Sequence, residues 1–104
     1  MVVVTTTFPD RDAAWSVVRP LVEERWAACV HVTTEVRSAY HWEGRLEEAD
    51  EVVATCTTAE SSVAAMVERL VDEHPYDLPQ VLLSRVATTV DYAAWVEESV
   101  GGPA

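Results

Sequence analysis

From Cys29 to Thr57 the chain reads CVHVTTEVRSAYHWEGRLEEADEVVATCT, and the topology of the rest follows from this segment. Residues alternate from Cys29 to Glu43. Val30, Val32, Thr34, Val36, Ser38, Tyr40 and Trp42 fall on one side, and Cys29, His31, Thr33, Glu35, Arg37, Ala39, His41 and Glu43 on the other. A period of two predicts one long strand with a buried face. Gly44 permits a tight turn, and a second strand follows from about Leu46 to Thr57. The two form a hairpin. A two-residue turn on Glu43-Gly44 pairs Trp42 with Arg45 and, if the ladder continues unbroken, His31 with Cys56. The first strand could reach ~45 Å at about 3.3 Å per residue, whereas a compact chain of this size is only ~33 Å across. The tip, with Tyr40, Trp42 and Leu46, is therefore expected to project and to need covering, most simply by a second copy of the chain.

The β-branched run Val2-Val3-Val4-Thr5-Thr6-Thr7 reads as an opening buried strand. Pro9-Asp10 begins a helix with Asp10 as its N-cap. Ala14, Val17, Val18, Leu21 and Val22 form the apolar face, and a kink is expected near Pro20, with the helix ending about Trp26. After the hairpin, Thr57-Thr58-Ala59-Glu60 reads as a capping box. It opens a second helix bearing Val63, Met66, Val67, Leu70 and Val71, stopped at Pro75. Gln80–Ala87 is a fourth strand, Asp91 caps a short last helix with Tyr92, Trp95 and Val96, and Gly101-Gly102-Pro103 is expected to fray. The order βαββαβ predicts one α+β domain over 1–104. It has a ferredoxin-like antiparallel sheet with helices on one face, plus a short C-terminal helix.

The 104 residues carry 18 Asp and Glu against 7 Lys and Arg, net −11, and every basic residue is arginine. Such a surface disfavours nucleic acid and anionic membranes as partners. No apolar run reaches the ~20 residues of a membrane span, and no basic-then-apolar leader opens the chain, so a cytoplasmic location is expected. Glycine-rich phosphate loops, G-x-S-x-G and HExxH are absent, which points away from an enzyme.

The run LVEERWAACV (21–30) resembles the helix-to-strand motif of the CutA family of divalent-cation tolerance proteins. Ser38, Tyr40, Trp42, Gly44 and Glu51 fall where that family places its hairpin motif. His74-Pro75-Tyr76 with Pro79, and Tyr92 with Trp95, match two further elements. The resemblance spans nearly the whole chain. It implies a cytoplasmic homotrimer built on the long hairpins, linked to copper and other divalent cations, and kinship with PII-like signalling trimers. Three departures stand out. Thr57-Thr58 replaces the usual Lys-Thr, Thr88-Thr89 the usual Gly-Asn, and His31 an Asn or similar residue.

Cys29 and His31, two apart on a strand, face the same way, and thiolate plus imidazole suits copper or zinc. With the unbroken register, Cys56 joins them. The competing assignment makes both cysteines small buried hydrophobes. His74 sits in the last helical turn, where positive charge is favourable. By resemblance it is also a pocket residue, and it completes the candidate metal set Cys29, His31, Cys56 and His74. Trp42, Tyr76 and Trp95 serve packing or a pocket between subunits. The leading expectation is a non-enzymatic, metal-tolerance or metal-responsive trimer that binds divalent cations weakly or transiently. The alternatives are a PII-like sensor with a small ligand between subunits, or a trimeric scaffold.

Overall fold

A computed structural model describes residues 1–103. Strand β1 (Val2–Phe8) leads into α1 (Arg11–Glu23), then β2 (Cys29–Val32), β3 (Val36–Trp42) and β4 (Arg45–Thr58). Helix α2 (Glu60–Glu73), strand β5 (Leu82–Arg85) and helix α3 (Val90–Ser99) complete the chain. The antiparallel sheet has the order β2-β4-β1-β5, and β3 pairs with the outer half of β4. The expected α+β architecture is present, with one change of topology. The predicted long first hairpin strand is two strands.

The break is a one-residue bulge. Val32 pairs with Ala54 and Val36 with Glu51, so Thr33, Thr34 and Glu35 stand against only Val52 and Val53. Thr33 closes the gap. Its amide donates to the Val53 carbonyl at 2.8 Å, and its hydroxyl accepts the Val53 amide at 3.0 Å. An extra residue in one strand reverses which side later residues face. Val30 and Val32 therefore lie on the helix side, while Val36, Ser38, Tyr40 and Trp42 lie on the opposite side. The turn is as expected: Glu43 (φ 50°) and Gly44 (φ 77°) both take the left-handed conformation of a two-residue hairpin loop, and Trp42 pairs with Arg45.

The core occupies the helix side of the sheet. Val2, Val4 and Phe8 of β1 and Val52, Ala54 and Cys56 of β4 meet Ala14, Val18 and Leu21 of α1 and Met66 and Leu70 of α2. β1 pairs no further along β4 than Val52, so residues 36–51 form a hairpin beyond the core. The molecule is accordingly elongated, 45 × 26 × 22 Å.

Helix ends follow local chemistry, with two corrections. Asp10 caps α1, its Oδ1 accepting the Ala13 amide at 2.8 Å. The helix runs through Pro20 and closes at Glu23, with Arg25 left-handed at φ 63°. There the Trp26 amide reaches the Leu21 carbonyl and the Arg25 amide that of Val22, a Schellman closure. The capping box does not form. Thr57 and Thr58 are held in the ladder with Val3 and Val2, and the N-cap falls on Ala59 without a side-chain bond. For α3 the cap is Thr89, whose Oγ1 accepts the Tyr92 amide, rather than Asp91. Thr88-Thr89 thus keeps a capping oxygen where the resemblance expects Asn.

The C-terminal glycines are docked, not frayed. Gly101 and Gly102 amides both donate to the Arg25 carbonyl at 3.0 Å. The Arg25 guanidinium in turn donates to the carbonyls of Glu98 and Ser99, the last of α3, where a cation meets the negative helix end. Among the described residues, no helix is long and apolar enough to cross a membrane.

Candidate functional site

The four metal-ligand candidates occupy three places. Cys29 and His31 stand side by side on the sheet face away from the helices, with Sγ and Nε2 3.8 Å apart. Cys56 is not with them. The bulge moves the register by one, so His31 pairs with Thr55 and Cys56 pairs with Val30. That turns Cys56 into the core, fully buried. Burial, with a smaller contribution from the charge of Cys29, pushes its thiol up to about 12, so it carries no thiolate near neutrality.

His74 lies at the other end of the sheet. Cys29 is level with Thr57 and hence Val3, whereas His74 bonds to Thr6 and Thr7. Its ring stacks on Phe8 at 4.3 Å. Nδ1 accepts the Tyr76 amide at 3.1 Å, which leaves the proton on Nε2. Nε2–H meets the Thr7 carbonyl at 2.9 Å, with the Thr6 hydroxyl at 3.1 Å. Both nitrogens are engaged, and neither lone pair is free for a metal. Burial lowers the His74 pKa against the smaller opposing effects of the Thr7 carbonyl and Glu51. The helix-end attraction expected for a charged imidazole is outweighed by desolvation. Among the described residues, no three His, Cys, Asp or Glu side chains are grouped to hold a metal ion.

What His74 does is position a turn. Its bond to the Tyr76 amide sets the segment after α2, and Tyr76 reaches back to donate its hydroxyl to Glu51 Oε2 at 2.7 Å. Glu51 is 7% exposed. Burial first, then the Glu51 carboxylate, raises the Tyr76 pKa above its usual range, so the phenol stays a donor. Between this segment and the β3–β4 hairpin lies a cavity of about 810 Å³. Tyr40, Trp42, Glu51, Tyr76, Asp77 and Leu78 are among its lining residues. The bulge is what points Tyr40 and Trp42 into it. Of the three aromatics expected in packing or at a pocket between subunits, Trp42 and Tyr76 line this cavity within the chain. Trp95 instead pairs with Tyr92 at 5.4 Å on α3.

The family of CutA1 divalent ion tolerance proteins matches residues 2–99. The chain belongs to the CutA1 family. The divalent-cation tolerance protein CutA of Pyrococcus horikoshii is 40% identical over 99 residues, covering 94% of this chain and 96% of that protein. The CutA of Pectobacterium atrosepticum is 37% identical, covering 95% and 91%. Among solved structures, CutA1 from Pyrococcus horikoshii superposes with a TM-score of 0.91 at 39% identity, covering 97% of this chain and 99% of that one. The divalent cation tolerance protein of Thermus thermophilus gives 0.91 at 32% identity, covering 97% and 100%. Within the CutA1 family frame, sequence reasoning named Glu51 only as a motif position. Its part-buried bond with Tyr76 joins residues from β4 and the segment after α2, and no local pattern announces it.

Proposed function

We propose that this CutA1-family protein is a non-enzymatic, cytoplasmic, homotrimeric divalent-cation tolerance protein that takes copper through Cys29 and His31. The juxtaposition of Cys29 Sγ and His31 Nε2 carries the chemistry. A soft thiolate beside an imidazole suits copper in either oxidation state, Cu(I) through sulfur and Cu(II) through nitrogen. Two donors per chain are fewer than the four of a structural zinc site, so the pair suits transient cargo or a site shared between copies. Assembly is supported by the surface. Tyr40, Trp42, Leu46, Leu82 and Leu83 are large apolar side chains left exposed on one chain, and β2 and β5 are open sheet edges. The names of the relatives support metal tolerance at the level of the family.

The test is a competition titration against a Cu(I) chelator with wild type, Cys29→Ser and His31→Ala. Thiolate ligation requires proton loss, so wild-type affinity should fall on acidification. It should also drop at least tenfold in Cys29→Ser. Equal affinity in the two proteins, with weak binding that disappears as salt rises, would leave only screened surface attraction and end the copper assignment.

A second reading, a sensor that holds a small molecule beside the hairpin, is favoured by one observation, the cavity between β3–β4 and Tyr76.

A further inference from the structure

The segment after α2 is tied to the sheet on both sides. His74 Nδ1 accepts the Tyr76 amide at 3.1 Å, and the Tyr76 hydroxyl donates to Glu51 Oε2 at 2.7 Å. On its other side the ring holds β1, with Nε2 on the Thr7 carbonyl at 2.9 Å and near the Thr6 hydroxyl at 3.1 Å. It lies almost flat on Phe8, at an interplanar angle of 15°. One imidazole and one phenol thus join β1 to Glu51, which pairs with Val36 at the base of the β3–β4 hairpin. All these contacts lie within one chain, so they hold when a second copy covers the hairpin.

The relay depends on one lone pair. Nδ1 accepts an N–H only while it carries no proton. A proton taken from solvent at Nδ1 makes the ring a donor on both nitrogens, and two N–H groups then face each other across 3.1 Å. Nε2–H keeps its carbonyl, but the Tyr76 amide loses its acceptor and has to move. The surrounding groups set when this happens. From β1 come Thr6, Thr7 and Phe8, none of them titratable. On α2 the neighbouring Glu73 is paired with Arg69 at 2.6 Å. β4 brings Glu51, whose charge favours the protonated ring but is outweighed by desolvation. Tyr76 is kept protonated by burial and by the charge of Glu51, with smaller effects from Tyr40 and Asp10. His41 and Asp77 line the space on the Tyr76 side.

We propose that His74, Tyr76 and Glu51 form a proton-operated latch. Neutral His74 holds the segment after α2 against β1 and β4, and protonation at Nδ1 releases Tyr76 and loosens the base of the hairpin. That hairpin carries the exposed Tyr40, Trp42 and Leu46, so the latch makes association weaken with acid. This last step rests on the homotrimer reading; the latch does not, and it uses neither Cys29 nor His31.

Nitrogen-resolved NMR on the full chain from pH 7.5 to 5.0, with light scattering on a dilution series at pH 7.5 and 5.5, tests it. The Tyr76 amide resonance should move with the same midpoint as the His74 ring. Amide exchange, corrected for its intrinsic pH dependence, should quicken about tenfold at residues 76–78 and 50–52 on acidification. Wild-type association should weaken about tenfold, roughly 1.4 kcal/mol. His74→Gln should lose all three responses, which also separates the latch from titration of His41 or Glu51. In Tyr76→Phe, the amide at position 76 should still follow the ring, while residues 50–52 exchange fast at both pH values. This second variant stands in if His74→Gln fails to fold. A Tyr76 amide that stays put while the ring titrates would overturn the latch. So would an acid response that persists in His74→Gln, or one at residues 50–52 of equal size in wild type and Tyr76→Phe. Association equally strong at both pH values would overturn its effect on assembly. A wild type already monomeric at pH 7.5 would remove the homotrimer reading instead, and the spectra alone would decide the latch.

Discussion

At the scale of single residues, His74 shows how burial decides a role. Its sequence context favours a charged imidazole at a helix end. Packed on Phe8 and bonded through both nitrogens, it is neutral instead. Since the folded ring holds its proton less tightly than an unfolded histidine, the unfolded chain binds more protons at mildly acid pH. The contribution of His74 to stability is therefore fully present above about pH 6.5 and is lost as pH falls toward the lowered folded value. Glu24 and Glu60 have lowered pKa values through hydrogen bonds with Arg69 and Arg85. Their contributions persist until pH drops below the ordinary carboxylate range, so they do not overlap this window. Urea midpoints at pH 7.5 and 5.5 should show a loss for wild type and a smaller one for His74→Gln. Identical pH dependence in the two proteins would refute the assignment.

At the scale of elements, the joint between α1 and the tail of α3 is the least legible part of the chain. Gly101-Gly102 looks like a loose end, yet both amides are anchored on the Arg25 carbonyl. Gly102 has φ +85°, and a Cβ there would lie 2.5 Å from Cη2 of Trp26. Both the backbone and the space require glycine. Gly102→Ala should cost about 2 kcal/mol or more, combining left-handed strain with overpacking. Thermal unfolding should show it as a lowered Tm, with faster amide exchange in α3. An unchanged Tm would mean that the tail does not hold α3 in solution. The bulge at Thr33–Glu35 was illegible for a related reason. Alternation continues on both sides of it, so the sequence reads as one strand. Only the pairing of β4 with β2 on one stretch and β3 on the next reveals the extra residue.

At the scale of the molecule, the hairpin beyond the core is the feature that calls for assembly. Trp42 is 43% exposed on it and belongs to no core cluster. Trp42→Ala should leave the folded subunit intact and weaken association by about 2 kcal/mol or more, roughly thirtyfold, as for an interface anchor. Light scattering on a sizing column across a dilution series measures this. A wild-type protein running as an 11.5 kDa monomer would remove the trimer. Unchanged assembly with lost subunit stability would move Trp42 into the fold.

The amino-acid sequence by itself determined the order of elements apart from the split between β2 and β3, the apolar faces of α1 and α2, the Asp10 cap and the Glu43-Gly44 turn. Each of these depends on residues within a few positions of one another, so local sterics and periodicity suffice. It also determined the CutA1 family, through motifs spread along the whole chain. Tertiary structure alone decided three things. It put Cys56 in the core and away from Cys29 and His31, because a one-residue bulge changes the register between them. It made His74 a neutral positioning residue, because Phe8, Thr6 and Thr7 come from the far end of the sequence. And it built the cavity, because Glu51 and Tyr76 meet only when the segment after α2 crosses to the open face of the hairpin. Contacts between distant residues depend on how whole elements pack, and no short window of sequence contains that information.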